Sequence, residues 1–319
     1  MEKDARVCVI GHTGLLGSAI AGNLKRRGYI NIITRTRPEM NLGNLMDVSD
    51  FFRSNRPDFV FMAGARVGSI AENISYPVEF LSENLLVQDN VLAEADFWRV
   101  KKLIFFSSNC CYPRDCPQPI REEYLMTGPL EPTNEAYALA KIVGMKLCQS
   151  YNIQYRDRFY CAVLASLYGP NDHFGTERAH VIADMIHKFH NAKEDGIEEL
   201  TFWGDGSPLR EFMYVDDAAD AAIFLMDNFN PSVEDNKAGR IFLNAGTGEE
   251  ISIADLARLI AGIVGYEGRI NWDISKPNGM PRKLLDSSKC YALGWRPKTP
   301  LEEGIRKTYL WYLENRGSN

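Results

Sequence analysis

The sequence predicts an α/β protein: a doubly wound parallel sheet with helices on both faces, then a smaller C-terminal α+β domain. Three observations predict it. Short β-rich runs alternate with helical stretches through the first half of the chain, and the run Val7 to Ile10 opens into Gly11-His12-Thr13-Gly14-Leu15-Leu16-Gly17. After Tyr168-Gly169-Pro170 the alternation loosens. Strands alternating with helices imply right-handed βαβ units, and therefore a parallel sheet.

Taken in order, Val7 to Ile10 reads as the first strand, Leu15 to Arg27 as a helix and Ile30 to Thr34 as the second strand. A helix over Val48 to Asn55 ends near Pro57, and Phe59 to Met62 is the third strand. Pro77 to Phe97 is a long helix, followed by strand Lys102 to Phe106. Tyr137 to Asn152 is helical again and Phe159 to Leu164 is another strand. Beyond it come helix Ala179 to His190, a charged stretch from Lys193 to Glu199, and the short strand Leu200 to Trp203. Helix Val215 to Asn228 leads to Arg240 to Asn244, a strand able to rejoin the first sheet. Helices Ile253 to Val264 and Pro300 to Glu314 close the chain, with irregular Lys276 to Lys283 between them. The expected division is 1–168 with 213–246 as a dinucleotide-binding domain, and 169–212 with 247–319 as a substrate domain.

Composition sets the broad class. The chain is 45% hydrophobic and 24% charged, ordinary for a globular protein. A net charge of −6 argues against a nucleic-acid or anionic-membrane partner, since both need a basic surface. No apolar run approaches the ~20 residues of a membrane span, and Met1 to Arg6 lacks the pattern of a secretory signal. Seven cysteines without framework spacing point to a reducing cytoplasm.

The glycine turn lies where a dinucleotide fingerprint belongs, between a strand and a helix, which makes the sheet a Rossmann sheet. Gly11 permits the tight turn, Gly14 lets the backbone approach a pyrophosphate, and Gly17 packs helix on strand. The end of the second strand reads Thr34-Arg35-Thr36-Arg37, with no acid before Glu39. An acid there would hold a ribose 2′-hydroxyl; two arginines suit a 2′-phosphate, so the expected cofactor is NADP.

Tyr137-Ala138-Leu139-Ala140-Lys141 supplies the second signal. Positions i and i+4 share a helix face, so a lysine ammonium can favour the tyrosine phenolate and lower its pKa from about 10. Phe106-Ser107-Ser108-Asn109 lies at the end of a strand, where ligands of parallel sheets bind. The three together describe a short-chain dehydrogenase, which passes hydride between nicotinamide and a carbonyl or alcohol carbon. His180, His187 and His190 do not make a metal set, because a third ligand at characteristic spacing is missing.

These motifs, with further stretches, resemble the GDP-L-fucose synthases, the GDP-4-keto-6-deoxymannose 3,5-epimerase-4-reductase family. The resemblance also rests on Ala65 to Ile70, Leu130 to Lys141, Trp203 to Phe212, Val215 to Asp217 and Arg282 to Asp286. It implies that Tyr137, Lys141 and Ser108 carry the reduction, with Ser107 the fallback. It implies that Cys110 and His180 are the acid and base of epimerisation. A 4-keto group acidifies the hydrogens on C3 and C5, and a thiol and an imidazole both titrate near neutrality.

For the cofactor the resemblance implies Gly11, Thr13, Gly14, Leu15, Leu16 and Gly17 of the turn. Arg35, Arg37, Asn41 and Leu42 belong to the adenosine end. Ala63, Gly64, Ala65, Leu164, Leu167, Lys141 and His180 complete the set. For a GDP-sugar substrate it implies Ser108, Asn109, Lys188, Trp203, Arg210 and Lys283. It further implies a homodimer through a four-helix bundle of the two long helices.

Three departures stand out: Thr13 replaces a basic residue of some relatives, Val163 to Tyr168 replaces the usual Pro-Thr-Asn-Leu-Tyr, and Cys111 adjoins Cys110. Either thiol is open as the reactive one. Other readings stay open beside the main one: a C4 reductase of a related GDP-4-keto-deoxysugar such as a 6-deoxyheptose or 3,6-dideoxyhexose, an NAD-retaining UDP-sugar 4-epimerase or dehydratase, and a non-catalytic NADP-binding protein.

Overall fold

A computed structural model describes residues 1–176, 178–276 and 278–316. Six strands form one sheet, in the spatial order Phe242–Ala245, Phe159–Leu164, Lys102–Ser108, Phe59–Met62, Val7–Ile10, Ile32–Ile33. Every pairing in it is parallel. From Val7–Ile10 the chain first steps to one side, to Ile32–Ile33, and then continues on the other side from Phe59–Met62. The strand order therefore reverses between the first and third strands, and such a switch point opens a crevice at the carboxyl ends. Inner strands such as Val7–Ile10 and Phe159–Leu164 are buried at every residue, which is why they read as continuous apolar runs without alternation.

Helices Leu15–Arg26, Leu45–Asn55, Pro77–Phe97, Glu135–Tyr155 and Val215–Asn228 surround this sheet. Leu45–Asn55 starts earlier than its apolar pattern suggests because the Asn44 side chain accepts from the Met46 amide at 3.0 Å. Glu135–Tyr155 likewise runs beyond the apolar stretch at both ends. Lys102 opens its strand with a buried ammonium, which donates to the carbonyls of Leu225, Met226 and Phe229 and so closes the end of helix Val215–Asn228.

A second core gathers Ile182, Ile186, Phe189, Leu256, Ile260 and Ile305. It lies among helices Val181–Glu194, Ile253–Val264 and Leu301–Asn315, with the parallel pair Glu199–Trp203 and Arg269–Asp273. Ser166–Tyr168 and Phe212–Tyr214, where the chain leaves the first core and returns to it, pair side by side in parallel. Within 247–319, Leu285, Cys290 and Trp295 pack into the first core, drawn there by the bridge of Leu285 to Ile120 and by Trp295 Nε1 donating to Asp220 at 3.1 Å.

Candidate active site

The crevice at the switch point is a cleft of about 1110 Å³, and every residue expected to serve catalysis, cofactor or substrate lines it, Cys111 excepted. Its floor is the glycine turn. Gly11 has φ +80, and a Cβ there would meet the Gly64 amide nitrogen at 2.7 Å. On Gly17 a Cβ would lie 2.1 Å from the Gly11 carbonyl oxygen. Both positions admit only glycine, which lets the turn press against Ala63 and Gly64 just beyond strand Phe59–Met62 and the helix press against the turn. Helix Leu15–Arg26 starts from Gly14 with no side chain capping it, so its first amides face the cleft at Thr13, Leu15 and Leu16. An uncapped helix N-terminus above a cradle that a Cβ would fill fits a pyrophosphate.

Arg35 and Arg37 stand exposed on the cleft wall, in the loop after Ile32–Ile33. The nearby acid, Glu39, is taken by its own turn: its carboxylate accepts from the Thr36 amide at 2.7 Å and the Thr36 hydroxyl at 2.8 Å. The backbone bond from Thr36 holds that carboxyl below the ordinary value, so it stays an anion bound to the turn. Two guanidinium groups without a carboxylate partner among the described residues, Arg35 donating only to the Thr34 carbonyl at 2.7 Å, fit a 2′-phosphate better than a 2′-hydroxyl. Asn41, Leu42, Ala63, Gly64 and Ala65 continue this wall, and Asn90 fixes it by donating to the Leu42 carbonyl at 2.9 Å. Leu164 and Leu167 also line the cleft.

Tyr137 and Lys141 project from one face of Glu135–Tyr155, as their spacing requires, and Ser108 ends the adjoining strand. The Lys141 ammonium lies 5.7 Å from the Tyr137 ring centre and donates to the Phe106 carbonyl at 2.9 Å. One sequence expectation is corrected here. Burial pushes the Tyr137 phenol up, with the neighbouring thiols of Cys110 and Cys111 adding to the rise. Burial also pushes Lys141 down to about 8. The protein's own groups therefore hold Tyr137 protonated, as a proton donor, and Lys141 is bonded to backbone in place of the phenol. Ser108 is half-buried and its hydroxyl accepts from the Cys110 amide at 3.4 Å; Ser107 is buried.

The adjacent cysteines separate sharply. Cys111 is fully buried, and burial pushes its thiol up to about 12. Cys110 lines the cleft, and its sulfur receives Asn134 Nδ2 at 3.0 Å and Lys283 Nζ at 3.4 Å. Burial would raise this thiol as well. The Lys283 charge and the hydrogen bonds from Ser108, Lys283 and Asn134 outweigh it, and Cys110 falls below the ordinary value.

His180 is the residue before helix Val181–Glu194, which starts two positions later than the Ala179 read from the sequence. Its Nδ1 meets Asp172 Oδ1 at 3.0 Å, and Asp172 is buried with its second carboxyl oxygen unpartnered among the described residues. Burial lowers the imidazole, but the hydrogen bond and charge of Asp172, with the Cys110 charge, carry it above the ordinary value. The other ring nitrogen is left for the cleft.

Around the outer half of the cleft stand Lys188, Trp203 and Arg210. Lys188 pairs with Asp184 at 2.7 Å, one helical turn away. Trp203 is 59% exposed, which removes core packing as its reason for being there. Arg210 donates to its neighbour's carbonyl, Leu209, at 2.8 Å, and Asn109 is buried with its amide nitrogen unpartnered among the described residues. Lys283 departs from expectation, because its ammonium meets the Cys110 sulfur. Sequence reasoning missed Asp172 and Asn134 altogether. Among the described residues no group of three or more His, Cys, Asp or Glu side chains could hold a metal.

Those features define a nucleotide-dependent α/β enzyme, and the chain belongs to the NAD dependent epimerase/dehydratase family, whose pattern matches residues 7–241. Within it the chain is 46% identical to GDP-L-fucose synthase 1 of Arabidopsis thaliana, covering 98% of this chain and 95% of that one. It is 43% identical to the GDP-L-fucose synthase of Escherichia coli strain K12, covering 99% of this chain and 98% of that one. Among solved structures it is similar to a GDP-L-fucose synthetase from Naegleria fowleri bound to NADP. The TM-score is 0.90 at 28% identity, covering 100% of this chain and 97% of that one.

Proposed function

We propose that the chain epimerises GDP-4-keto-6-deoxy-D-mannose at C3 and C5 and reduces it at C4 with NADPH, giving GDP-L-fucose. The observation that carries this reading is the pairing of Cys110 and His180 in the cleft that also holds Tyr137 and Ser108, with the thiol lowered and the imidazole raised.

The turn Gly11 to Gly17 holds the pyrophosphate of the cofactor and Arg35 and Arg37 its 2′-phosphate, with Lys141 near the nicotinamide end. NADPH, when bound, supplies the hydride for C4. Lys188 and Arg210 neutralise the substrate diphosphate and Trp203 packs against a ring. Ser108 and Tyr137 hydrogen-bond the 4-keto oxygen and stabilise the enolate that forms beside it. At C3, then at C5 or in the opposite order, the Cys110 thiolate takes the proton: the C–H bond breaks, an S–H bond forms, and the electron pair moves onto the 4-keto oxygen. His180 as imidazolium returns a proton to the opposite face, breaking N–H and forming C–H. Both groups then reset by proton exchange with water at the mouth. When C4 is reduced, Tyr137 gives its proton to the developing alkoxide, consistent with a phenol that burial keeps protonated.

The labour divides between the two cores. Residues 1–168 and 213–246 bind the cofactor; 169–212 and 247–319 bind the sugar nucleotide, apart from the segment around Leu285 to Trp295. Among the described residues no helix is long and apolar enough to cross a membrane. On the same proposal the enzyme works in the cytoplasm as a homodimer.

The test is NADPH oxidation at 340 nm with GDP-4-keto-6-deoxymannose, with the product sugar read by NMR. One NADPH consumed per substrate and an L-fucose product are expected. A product that keeps the D-configuration would discard the epimerase roles of Cys110 and His180. No consumption would discard the substrate.

A further inference from the structure

We propose that Lys283 is a positioning residue of the proton-transfer half of the reaction: its ammonium and the Asn134 amide clamp the Cys110 sulfur and keep it a thiolate facing the cleft. The inference rests on the epimerase reading and deepens it. It also moves Lys283 from the diphosphate to the thiol.

The sulfur at 3.0 Å from Asn134 Nδ2 and 3.4 Å from Lys283 Nζ receives two donors. A neutral thiol has one weak hydrogen to give, so two converging donors, one of them charged, favour the anion. A thiol hydrogen would find Asn109 Oδ1 only at 3.8 Å, farther off than either donor. Arrangement of the lysine is equally specific. Lys283 is 9% exposed, and among the described residues its ammonium has one hydrogen bond, to this sulfur.

The backbone around it is tied on both sides. Gln118 donates to the Arg282 carbonyl at 3.3 Å and accepts from the Leu284 amide at 3.0 Å. Buried Glu211 accepts from the Leu285 amide at 2.9 Å, and the Ile120 amide donates to the Leu284 carbonyl at 2.7 Å. Lys283 pairs in register with Arg210 across parallel two-residue strands, so both cations reach the cleft from one small sheet. A flexible four-carbon stem is thus held by a fixed backbone, which lowers the entropy lost in pointing its charge at one atom.

Other charged or titratable groups face the same sulfur. Arg210 adds a second positive charge from the neighbouring strand, and His180 faces it from the start of Val181–Glu194. Tyr137 lies on Glu135–Tyr155, held neutral by burial. The nearby acid, Glu131, accepts from the Thr133 hydroxyl at 3.1 Å and stands 3.6 Å from Arg114. Cys111 serves as an internal control: one residue on, without the two donors, its thiol goes up to about 12.

The experiment is the pH dependence of iodoacetamide alkylation of Cys110, read by peptide mass spectrometry on the full-length protein with NADP bound. Wild type, Lys283→Met, Lys283→Arg and Asn134→Ala are compared, and thermal melts check that each is folded. The parent should reach half-maximal rate below the ordinary thiol value. Lys283→Met should move that midpoint up by about one unit or more, and the other two variants by less. In D2O at pH 7, with NADP in place of NADPH, deuterium entry at C3 and C5 of GDP-4-keto-6-deoxymannose should fall about tenfold in Lys283→Met. It should recover as the pH is raised. Superimposable alkylation profiles for the parent and folded Lys283→Met would overturn the proposal; if Lys283→Met is unfolded, Lys283→Gln takes its place. A shifted profile with no deuterium entry in any protein would uphold the clamp and overturn the epimerase reading.

Discussion

At Asp172 one buried carboxyl oxygen holds the His180 ring at 3.0 Å while the other has no hydrogen-bond partner among the described residues. The carboxylate raises the imidazole against the opposing effect of burial, so Asp172→Asn should lower it. Deuterium entry at C3 and C5 should then lose its high-pH limb, the side on which His180 gives up its proton, by about one unit. The measurement is a pH profile of exchange in both proteins, and an unmoved limb would remove Asp172 from the mechanism. The sign for folding follows from the same rise. His180 contributes stability that is complete below about 6.5 and is lost as pH climbs through its raised folded value. How legible these residues were depended on sequence distance. Tyr137 and Lys141 stand one helical turn apart, and periodicity reveals them. Cys110 and His180 emerged only through resemblance. Asp172 lies in the irregular stretch before Val181–Glu194, and Lys283 is far from Cys110 in sequence; no local pattern encodes contacts of that kind.

Elements followed the same rule. Pro77–Phe97, Val215–Asn228 and Ile253–Val264 have the bounds read from the sequence, since proline or the apolar face marks the ends. The last of these is capped by the Ser252 side chain at one end and by Gly265 at φ +77 at the other. The strands Leu209–Arg210, Ile251–Ser252 and Arg282–Lys283 went unread, because two residues cannot display a period of two. Lys102 was read only as the start of a strand, yet it closes a helix that comes over a hundred residues later. Lys102→Met should take this donor from three carbonyls, of which Leu225 keeps the Phe229 amide, and cost about 2–3 kcal/mol after partial relaxation and entry of water. Urea melts would measure it, and an unchanged midpoint would show that water substitutes fully for the ammonium.

Across the whole molecule, the two long helices pack together beside the sheet and present exposed apolar side chains, Val78, Leu86 and Phe97 on one and Leu139, Val143 and Ile153 on the other. A row of this kind is expected to be covered by its symmetry mate. Light scattering should return twice the chain mass, and Leu86→Glu with Val143→Glu should return one. A monomeric parent would discard the dimer. The same scale gives the return strand a further meaning. Phe242–Ala245 completes the sheet beside Phe159–Leu164, but the chain builds much of the second core before reaching it. While the polypeptide emerges from the ribosome, Phe159–Leu164 is therefore an open apolar edge, available to any other strand, for the time needed to synthesise the intervening stretch. Assembly of this enzyme is exposed to mispairing during that interval, and the late strand ends the exposure by taking the vacant edge itself.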